Sequence, residues 1–476
     1  MSEEDRKRTD TVDMNLCKLV FSSVVTLIVL TSAGVDSASP KKKYPEDKNY
    51  MYRVQLRDKH ATPYSISEPL AYLSQKAIER RQRQNIAIDS TDLPVSQVYE
   101  KSLQQQGVSV VCKSKWNNTV VVRLNDTTVV DKIKQLPFVA GMKKVWVSPD
   151  SISEDKSRPK YHKELVLHDN KDADYYGAAA EQIKMLGGDK LHAEGYRGKG
   201  MMIAVLDAGF TNADLIPAFR EVDVMGFLDF VQSVKSDMFT ASRHGTQVLS
   251  TMAVNVPNVY VGTAPEASYW LLRCEDQQTE QPVEEDYWTA AAEYADSVGV
   301  DVINSSMGFH DYDNPADSYS YWQQDGKTTL ISRTASMLCG KGIVLVNSAG
   351  NEGNGAWKKI IFPADATDIL SVGAVTSIRR YASFSSLGPT QDGRIKPDVM
   401  AQGSPTKIVT TRGTISSDSG TSFASPLIAG LVACLWQKFP QKTAKEIMEM
   451  VRQSADNIIH PDNVYGYGIP DFSNIK

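Results

Sequence analysis

Four polar residues of types that can together break an acyl bond follow one another along the chain: Asp207, His244, Asn351 and Ser422. Ser422 lies in "SGTSFASP", where small residues meet a long apolar stretch with helical spacing. A serine at a helix N-terminus is often only a cap. The unpaired N–H groups and the positive dipole end found there also favour a developing negative charge. Because a serine nucleophile needs a base and an acid that orients the base, the interpretation of Ser422 depends on the other residues.

Each of the other three residues can supply one missing part of such a site. His244 lies in "SRHGTQVLSTMAV", a glycine-flanked turn that opens an apolar helix, and can act as the base. Asp207 ends the apolar segment "MMIAVLD" and can orient an imidazole, and Asn351 in "NSAGNEG" can donate its amide to an oxyanion. Taken singly, the three could be a surface histidine, a cap and a turn residue. Their joint occurrence with Ser422 favours nucleophilic catalysis.

The elements that must hold these residues are indicated by the alternation of two patterns. Three short apolar segments are strand-like: "MMIAVLD", "DVINSSMG" and "GIVLVNSAG". Two segments with helical spacing of apolar residues, "EEDYWTAAAEYADSVG" and "TTLISRTASMLCGKG", precede the second and the third of them. This alternation predicts an α/β domain with a mainly parallel sheet. Active sites of such sheets lie at the carboxyl ends of the strands. Those ends are here Asp207, Ser306–Gly308 and Ala349–Asn351, which we therefore expect to meet at one edge.

Residues 34–174 show a different pattern of apolar, polar and charged residues. Residues 50–148 combine strand-like segments such as "MYRVQLRD" and "TVVVRLN" with helical ones such as "EPLAYLSQKAIERRQRQ", which predicts a small α+β domain. Residues 34–49 form a charged, proline-containing linker. Residues 149–174 are highly charged and poor in apolar side chains, which is typical of an exposed linker where proteolytic nicking concentrates.

The N-terminus carries a targeting signal. The uncharged segment "LVFSSVVTLIVL" at 19–30 is too short and too rich in Ser and Thr for a comfortable membrane span, and "TSA" ending at Ala33 suits signal-peptide cleavage. We therefore expect residues 1–33 to be a signal peptide, with a single anchoring helix as the alternative. Residues 1–18 hold five acids against four bases, although signal n-regions are normally positive. A start at Met14 gives a positive n-region, so Met14 is the candidate true start.

The overall composition narrows the class of protein. The chain has 476 residues, 41% of them hydrophobic, and a formal net charge of −5, which is typical of soluble globular proteins and unlike a nucleic-acid binder with a basic face. Its five cysteines are widely spaced and predict neither a disulfide framework nor a zinc site. We expect no metal at the catalytic residues.

The motifs together resemble those of the subtilisin-like serine proteases, or subtilases, which share the order Asp, His, Ser. "GTSFASP" at 420–426 fits the family's serine motif at every fixed position, "HGT" at 244–246 matches its histidine motif, and "AGNEG" matches its oxyanion motif. "VLDAG" resembles the aspartate motif with Ala208 where Ser or Thr is common, and "KPDVMAQG" has Gln402 in place of Pro. The resemblance covers residues 175–476 and implies a three-layer α/β/α catalytic domain.

The resemblance also implies the roles of the residues. It makes Asp207, His244 and Ser422 the catalytic triad and Asn351 an oxyanion donor. It assigns substrate binding to five residues, and the small ones among them leave room for a large substrate side chain: Ser306, Met307, Gly308, Ala349 and Gly350. Residues 50–148 would be an inhibitor-like propeptide, so that the chain is the precursor of a secreted, periplasmic or cell-surface endopeptidase acting on peptides or proteins. No cofactor is required, and structural calcium is allowed without identifiable ligands.

Two other functions stay open at the level of the sequence. A serine esterase or acyl transferase could use the same triad, and a panel of ester and peptide substrates would separate it from a protease. A catalytically silent peptide-binding protein could share the fold. Such a protein would usually lack a member of the triad, and all members are present here.

Overall fold

The computed structural model describes residues 41–44, 46–153, 158–162, 174–233 and 236–476. The expected signal peptide at residues 1–33 lies outside these ranges, and the expected linkers at 34–49 and 149–174 are described only in part. Within the described part of the chain, no helix combines the length and the apolarity needed to cross a bilayer.

The N-terminal unit, residues 50–148, is built on a four-stranded antiparallel sheet with three helices. Its strands, with two short flanking ones, are β1 (Lys41–Lys43), β2 (Tyr50–Leu56), β3 (Ser109–Ser114), β4 (Thr119–Leu124), β5 (Val139–Val147) and β6 (Ser151–Ser153). Its helices are α1 (Gln75–Arg83), α2 (Gln97–Gln104) and α3 (Val129–Lys134). The sheet order is β3-β4-β2-β5, and β1 pairs with β6 outside it. The α+β domain expected from the sequence is therefore present in the structure.

The second unit, within residues 174–476, holds the predicted catalytic residues and is called the catalytic unit. It is organised around a seven-stranded sheet of order β15-β14-β13-β12-β7-β11-β8, whose registered strand pairs are all parallel. Its strands are β7 (Met202–Asp207), β8 (Asp223–Asp229), β9 (Asn255–Val256), β10 (Tyr260–Val261), β11 (Ser268–Arg273), β12 (Val302–Ser305), β13 (Val344–Ser348), β14 (Leu370–Thr376), β15 (Val399–Ser404), β16 (Thr406–Val409) and β17 (Ile415–Asp418). Its helices are α4 (Ala180–Lys184), α5 (Gly188–Ala193), α6 (Met238–Ala241), α7 (His244–Ala253), α8 (Val283–Val298), α9 (Leu330–Leu338), α10 (Thr421–Lys438) and α11 (Ala444–Gln453).

Two apolar cores cover the two faces of this sheet, because neighbouring side chains of a strand point to opposite faces. Ile203 and Val205 of β7 belong to the core shared with α7 and α10, whereas Ala204 and Leu206 belong to the core shared with α8 and α9. Helix α10 is buried along its whole length except at Ser422, Gln437 and Lys438. These helix and sheet layers confirm the three-layer α/β/α fold.

The N-terminal unit packs its sheet on α8 of the catalytic unit. One sheet face covers α2 and α3, while Met51, Val121 and Trp146 on the other face join the core that contains Tyr287 and Trp288 of α8. This is possible because neighbouring side chains of β2 and β4 point to opposite faces of the sheet, so each strand can bury residues on both faces.

Buried ion pairs fix the same contact. Arg53 of β2 donates from Nε and Nη2 to the two carboxylate oxygens of Asp286, both at 2.6 Å. Arg80 and Arg81 of α1 both pair with Asp296 at the end of α8, at 2.5 Å and 3.0 Å. Because a buried carboxylate without its partner is costly, these pairs make α8 specific for this neighbour.

Candidate active site

The four predicted catalytic residues lie at ends of secondary-structure elements that meet at one edge of the sheet. Asp207 is the last residue of β7 and His244 is the first residue of α7. Ser422 lies in the first turn of α10, and Asn351 follows the end of β13. Parallel strands place all their carboxyl ends on one side, which explains why residues far apart in sequence meet here.

Asp207 and His244 form a direct hydrogen-bonded pair. His244 Nδ1 lies 2.9 Å from Oδ1 and 3.0 Å from Oδ2 of Asp207, whose side chain is fully buried. The backbone N–H of Ala208 donates to the same carboxylate at 2.8 Å. The close approach depends on Gly245, because a Cβ at this position would come within 2.4 Å of the Gly209 carbonyl oxygen. The carboxylate therefore holds the ring through Nδ1 and leaves Nε2 free for the cleft.

The charge balance around His244 favours its protonated form. Burial opposes the charge, but attraction to the Asp207 carboxylate outweighs this and raises the pKa of His244 to about 8. An imidazole with this pKa is a stronger base than a free one, and half of it is in the neutral, proton-accepting form near pH 8.

Ser422 is held against the segment that follows β12. Its Oγ donates to the carbonyl oxygen of Ser306 at 3.2 Å, and Ser306 Oγ donates to the Ser422 carbonyl at 2.8 Å. Asn304 donates to Ser306 Oγ at 3.1 Å and accepts from Ser425 Oγ at 2.9 Å. In this structure the Ser422 hydroxyl therefore points to Ser306 and makes no hydrogen bond to His244.

The orientation of the Asn351 side chain is set by the residue before the serine. Its Oδ1 accepts hydrogen bonds from Thr421 N at 2.9 Å and from Thr421 Oγ1 at 3.0 Å. A Cβ built on Gly420 would lie 3.7 Å from both Asn351 Nδ2 and the Ser422 backbone nitrogen. The two N–H donors therefore border the same region of the cleft.

The cleft contains most of the predicted site residues. Its walls are formed by thirteen residues: Ala208, His244, Glu275, Gln277, Ser306, Met307, Gly308, Ser348, Gly350, Asn351, Ile361, Thr421 and Ser422. Asp207 lies behind His244. Ala349, expected at the substrate site, is fully buried with Ile360 and Ala364 and is not part of the wall.

Six residues of the cleft walls are not among the predicted site residues. Ala208, Ser348 and Thr421 directly adjoin predicted residues in sequence, whereas Glu275, Gln277 and Ile361 were missed outright. Glu275 and Gln277 follow β11, whose carboxyl end lies beside that of β7, so the strand-end rule could have found them had "YWLLRC" been interpreted as a strand. Ile361 comes from the loop between β13 and β14, and no pattern in the sequence points to it. Its side chain lies against Gly308 and Gly350, two of the small residues expected to leave room for a substrate side chain.

No metal-binding group can be named. Among the residues that the structure describes, no three His, Cys, Asp or Glu side chains are grouped so as to hold a metal ion. The described residues therefore supply no carboxylate cluster that could be assigned to a structural calcium ion.

Comparison with known proteins identifies the family to which the chain belongs. Residues 198–468 match a family model described as "Subtilase family", and residues 51–163 match a model of the peptidase S8 propeptide domain of Bacteroidota. Subtilisin E of Bacillus subtilis is 28% identical over 369 residues, which cover 77% of this chain and 82% of that protein. Subtilisin DY of Bacillus licheniformis is 30% identical over 282 residues, 58% of this chain and 91% of that protein.

A plant protein is matched over only a small part of its own length. Subtilisin-like protease SBT6.1 of Arabidopsis thaliana is 29% identical over 271 residues, which cover 56% of this chain and 24% of that protein. The family model itself spans more than half of the chain. The chain therefore belongs to the subtilase family and is a serine-type endopeptidase preceded by a propeptide domain.

Proposed function

We propose that this subtilase cleaves peptide bonds through an acyl-enzyme formed on Ser422. The observation that carries the proposal is the Asp207–His244 hydrogen bond in a cleft that also contains Ser422 and Asn351. Ser422 Oγ attacks the scissile carbonyl carbon while His244 Nε2 takes its proton. His244 then gives that proton to the leaving amine, and the C–N bond breaks. Water attacks the ester by the same route and restores the serine.

The hydroxyl must first turn away from Ser306. Rotation about the Cα–Cβ bond moves Oγ from one staggered position to another and replaces one hydrogen bond by another. We propose that this rotation brings Oγ within reach of His244 when substrate enters. Asp207 keeps the ring in the tautomer with a free Nε2 and stabilises the imidazolium that forms.

The oxyanion would be held by two donors. The backbone N–H of Ser422 and the Asn351 amide border the same region, and the positive end of the α10 dipole adds to their effect. Both donors are fixed before reaction, which is the condition for strong electrostatic stabilisation of a transition state.

We further propose that the chain is a latent precursor that cleaves its own linker. The backbone N–H of Ser153 donates to Gln278 Oε1 at 2.7 Å, beside the cleft residue Gln277. On the other side of residues 154–157, Arg158 pairs with Asp214 at 2.7 Å. The chain is thus attached to the catalytic unit both before and after this segment, which supports cleavage within 149–174 and inhibition by the propeptide. Export through residues 1–33 remains a proposal from the sequence.

The test uses the precursor without residues 1–33, wild type beside Ser422→Ala. Both proteins are incubated, new N-termini are mapped by mass spectrometry, and cleavage of casein and of matched peptide and ester substrates is measured. We expect cleavage within 149–174 and casein hydrolysis by the wild type, with both absent from Ser422→Ala. Cleavage of esters alone would favour the esterase reading. A wild type that stays inert after residues 34–174 are removed would overturn the proposal in favour of a binding protein.

A further inference from the structure

Ile361 occupies the space between the two glycines expected to border the pocket for the substrate's P1 side chain. A Cβ on Gly308 would come within 2.6 Å of Ile361 Cγ1, and a Cβ on Gly350 within 2.9 Å of the same atom. The isoleucine side chain therefore lies directly against both walls of the pocket. Ile361 therefore takes up the space that the two glycines leave by lacking a side chain.

The backbone around Ile361 is anchored to both walls. Its N–H donates to the Ala349 carbonyl at 3.1 Å, and the next residue, Phe362, exchanges two hydrogen bonds with Phe309 at 2.8 and 3.0 Å. Isoleucine is also stiff at χ1 because it branches at Cβ. These backbone hydrogen bonds fix the direction of the Cα–Cβ bond, and turning the side chain away about χ1 costs a less favourable rotamer.

We propose that Ile361 limits P1 to small side chains, a statement that rests on the proposed function. Glycine, alanine or serine at P1 would fit beside Ile361. Leucine or phenylalanine would overlap it, because a packed apolar site does not accept extra carbon atoms without strain.

The test measures kcat/KM for peptides that differ only at P1, as Ala, Val, Leu or Phe, using the full chain after self-processing. For the wild type we expect Ala to exceed Phe by about tenfold or more, the size of effect that one misfitting group produces in an apolar pocket. The series Ile361→Val, Ile361→Ala and Ile361→Gly should raise the Phe-to-Ala ratio step by step.

Folding of each variant is checked by its thermal unfolding midpoint. If Ile361→Gly does not fold, the two milder variants still decide the matter. A wild type that cleaves the Phe peptide as well as the Ala peptide, or a ratio that does not respond to Ile361→Ala, would overturn the inference. Absence of any Ser422-dependent cleavage would instead overturn the proposed function.

A second and independent feature lies on the opposite side of the cleft. Glu275 comes just after β11, where the N–H of Cys274 donates to the Asp207 carbonyl oxygen at 3.0 Å. Its side chain lines the cleft together with His244. Within the described ranges, its carboxylate has neither a hydrogen bond nor an ion pair.

The surroundings leave this carboxylate short of positive charge. The charged and titratable groups near it are Asp207, His244, Arg273, Cys274, Asp276, Glu280 and Glu284. Arg273 is already used by Asp229 at 2.9 Å and by Ser236 Oγ at 2.7 Å. Burial and the negative charge of Asp207 raise the pKa of Glu275 to about 7. No Lys or Arg is among the described residues that form the cleft walls.

We infer that Glu275 binds a cationic side chain at P2, the substrate residue before P1. Successive side chains of an extended peptide point to opposite sides. The sheet order places Gly350, after β13, and Glu275, after β11, on opposite sides of β12 and β7. With P1 against Gly308 and Gly350, the P2 side chain faces His244 and Glu275.

The test compares two peptides with Ala at P1 and either lysine or the uncharged norleucine at P2, again with the self-processed full chain. At pH 8 the kcat/KM ratio of lysine to norleucine should be about tenfold or more, as one charge-assisted contact would give. The ratio cancels the titration of His244, which both substrates share.

Glu275→Gln should bring this ratio close to one, and Glu275→Lys should favour glutamate at P2. Glu280→Gln is the matched control, since it removes a carboxylate from the same loop but not from the cleft wall, and the ratio should persist. A wild-type ratio near one, or a ratio that Glu275→Gln leaves in place, would overturn the inference. If neither peptide is cleaved in a Ser422-dependent way, the proposed function fails as well.

Discussion

At the scale of single residues, the orientation of one amide group decides what Asn351 can do. Both hydrogen bonds from Thr421 go to Oδ1, so Nδ2 is the end left for an oxyanion. Asn351→Ala should lower kcat by about 10²–10³-fold with little change in KM, the effect known for subtilisin, a relative of this chain. Ser422→Ala should cost about 10⁶-fold. A raised KM with unchanged kcat would show that Asn351 binds substrate without acting on the oxyanion.

The protonation of His244 sets the pH dependence. Since only the neutral ring can accept the serine's proton, and its pKa is about 8, kcat/KM should rise with pH and be half-maximal near pH 8. Asp207→Asn removes the carboxylate that raises this pKa, so the midpoint should move to lower pH and kcat should fall by about 10⁴-fold. Full pH profiles of both proteins measure the shift. A midpoint that stays in place would mean that another group titrates.

At the scale of elements, α10 can hold Ser422 only because it packs closely on its neighbours. A Cβ on Gly430 would lie 2.0 Å from Thr263 Oγ1 and 2.8 Å from Thr263 Cβ. Gly430→Ala should therefore lower the free energy of unfolding by about 1–3 kcal/mol through overpacking.

The matched control for this helix contact is Gly340→Ala. A Cβ at Gly340 would meet nothing within 4 Å. Denaturant unfolding of the Ser422→Ala background avoids self-digestion and compares the two variants directly. Equal stability of the two would show that the helix shifts at no cost.

At the scale of the whole molecule, the contact between the two units depends on a carboxylate of α8. Glu293 accepts from the backbone N–H groups of Lys115 at 2.7 Å and Trp116 at 3.0 Å, and from Ser114 Oγ at 2.5 Å. Hydrogen bonds to a charged group contribute about 1.5–3 kcal/mol, so Glu293→Gln should weaken inhibition by the separate propeptide about 10-fold to 100-fold.

The inhibition constant of residues 41–153 added to the mature enzyme measures this effect. The control is Lys134→Ala, which breaks only an exposed pair with Asp131 on α3. An unchanged constant for Glu293→Gln would mean that the apolar contact of the sheet with α8 carries the binding alone.

The sequence by itself determined the family, the layer architecture and the identity of the four polar residues at the element ends. Motifs of this kind can be found without a structure because strand ends and helix starts have local signatures of apolar runs, glycines and caps. Asp207 at the end of β7 and His244 at the start of α7 were foreseeable for this reason.

Only the tertiary structure decided the shape and charge of the cleft. Ile361 reaches it from a loop, Glu275 from the end of a strand in the unrecognised segment "YWLLRC", and Ala349 is turned into a small core. These positions depend on how distant segments pack and on which hydrogen bonds anchor their backbones, and neither leaves a periodic trace in the chain. The same holds for the Ser422 hydroxyl, whose direction is set by the Ser306 carbonyl across the cleft.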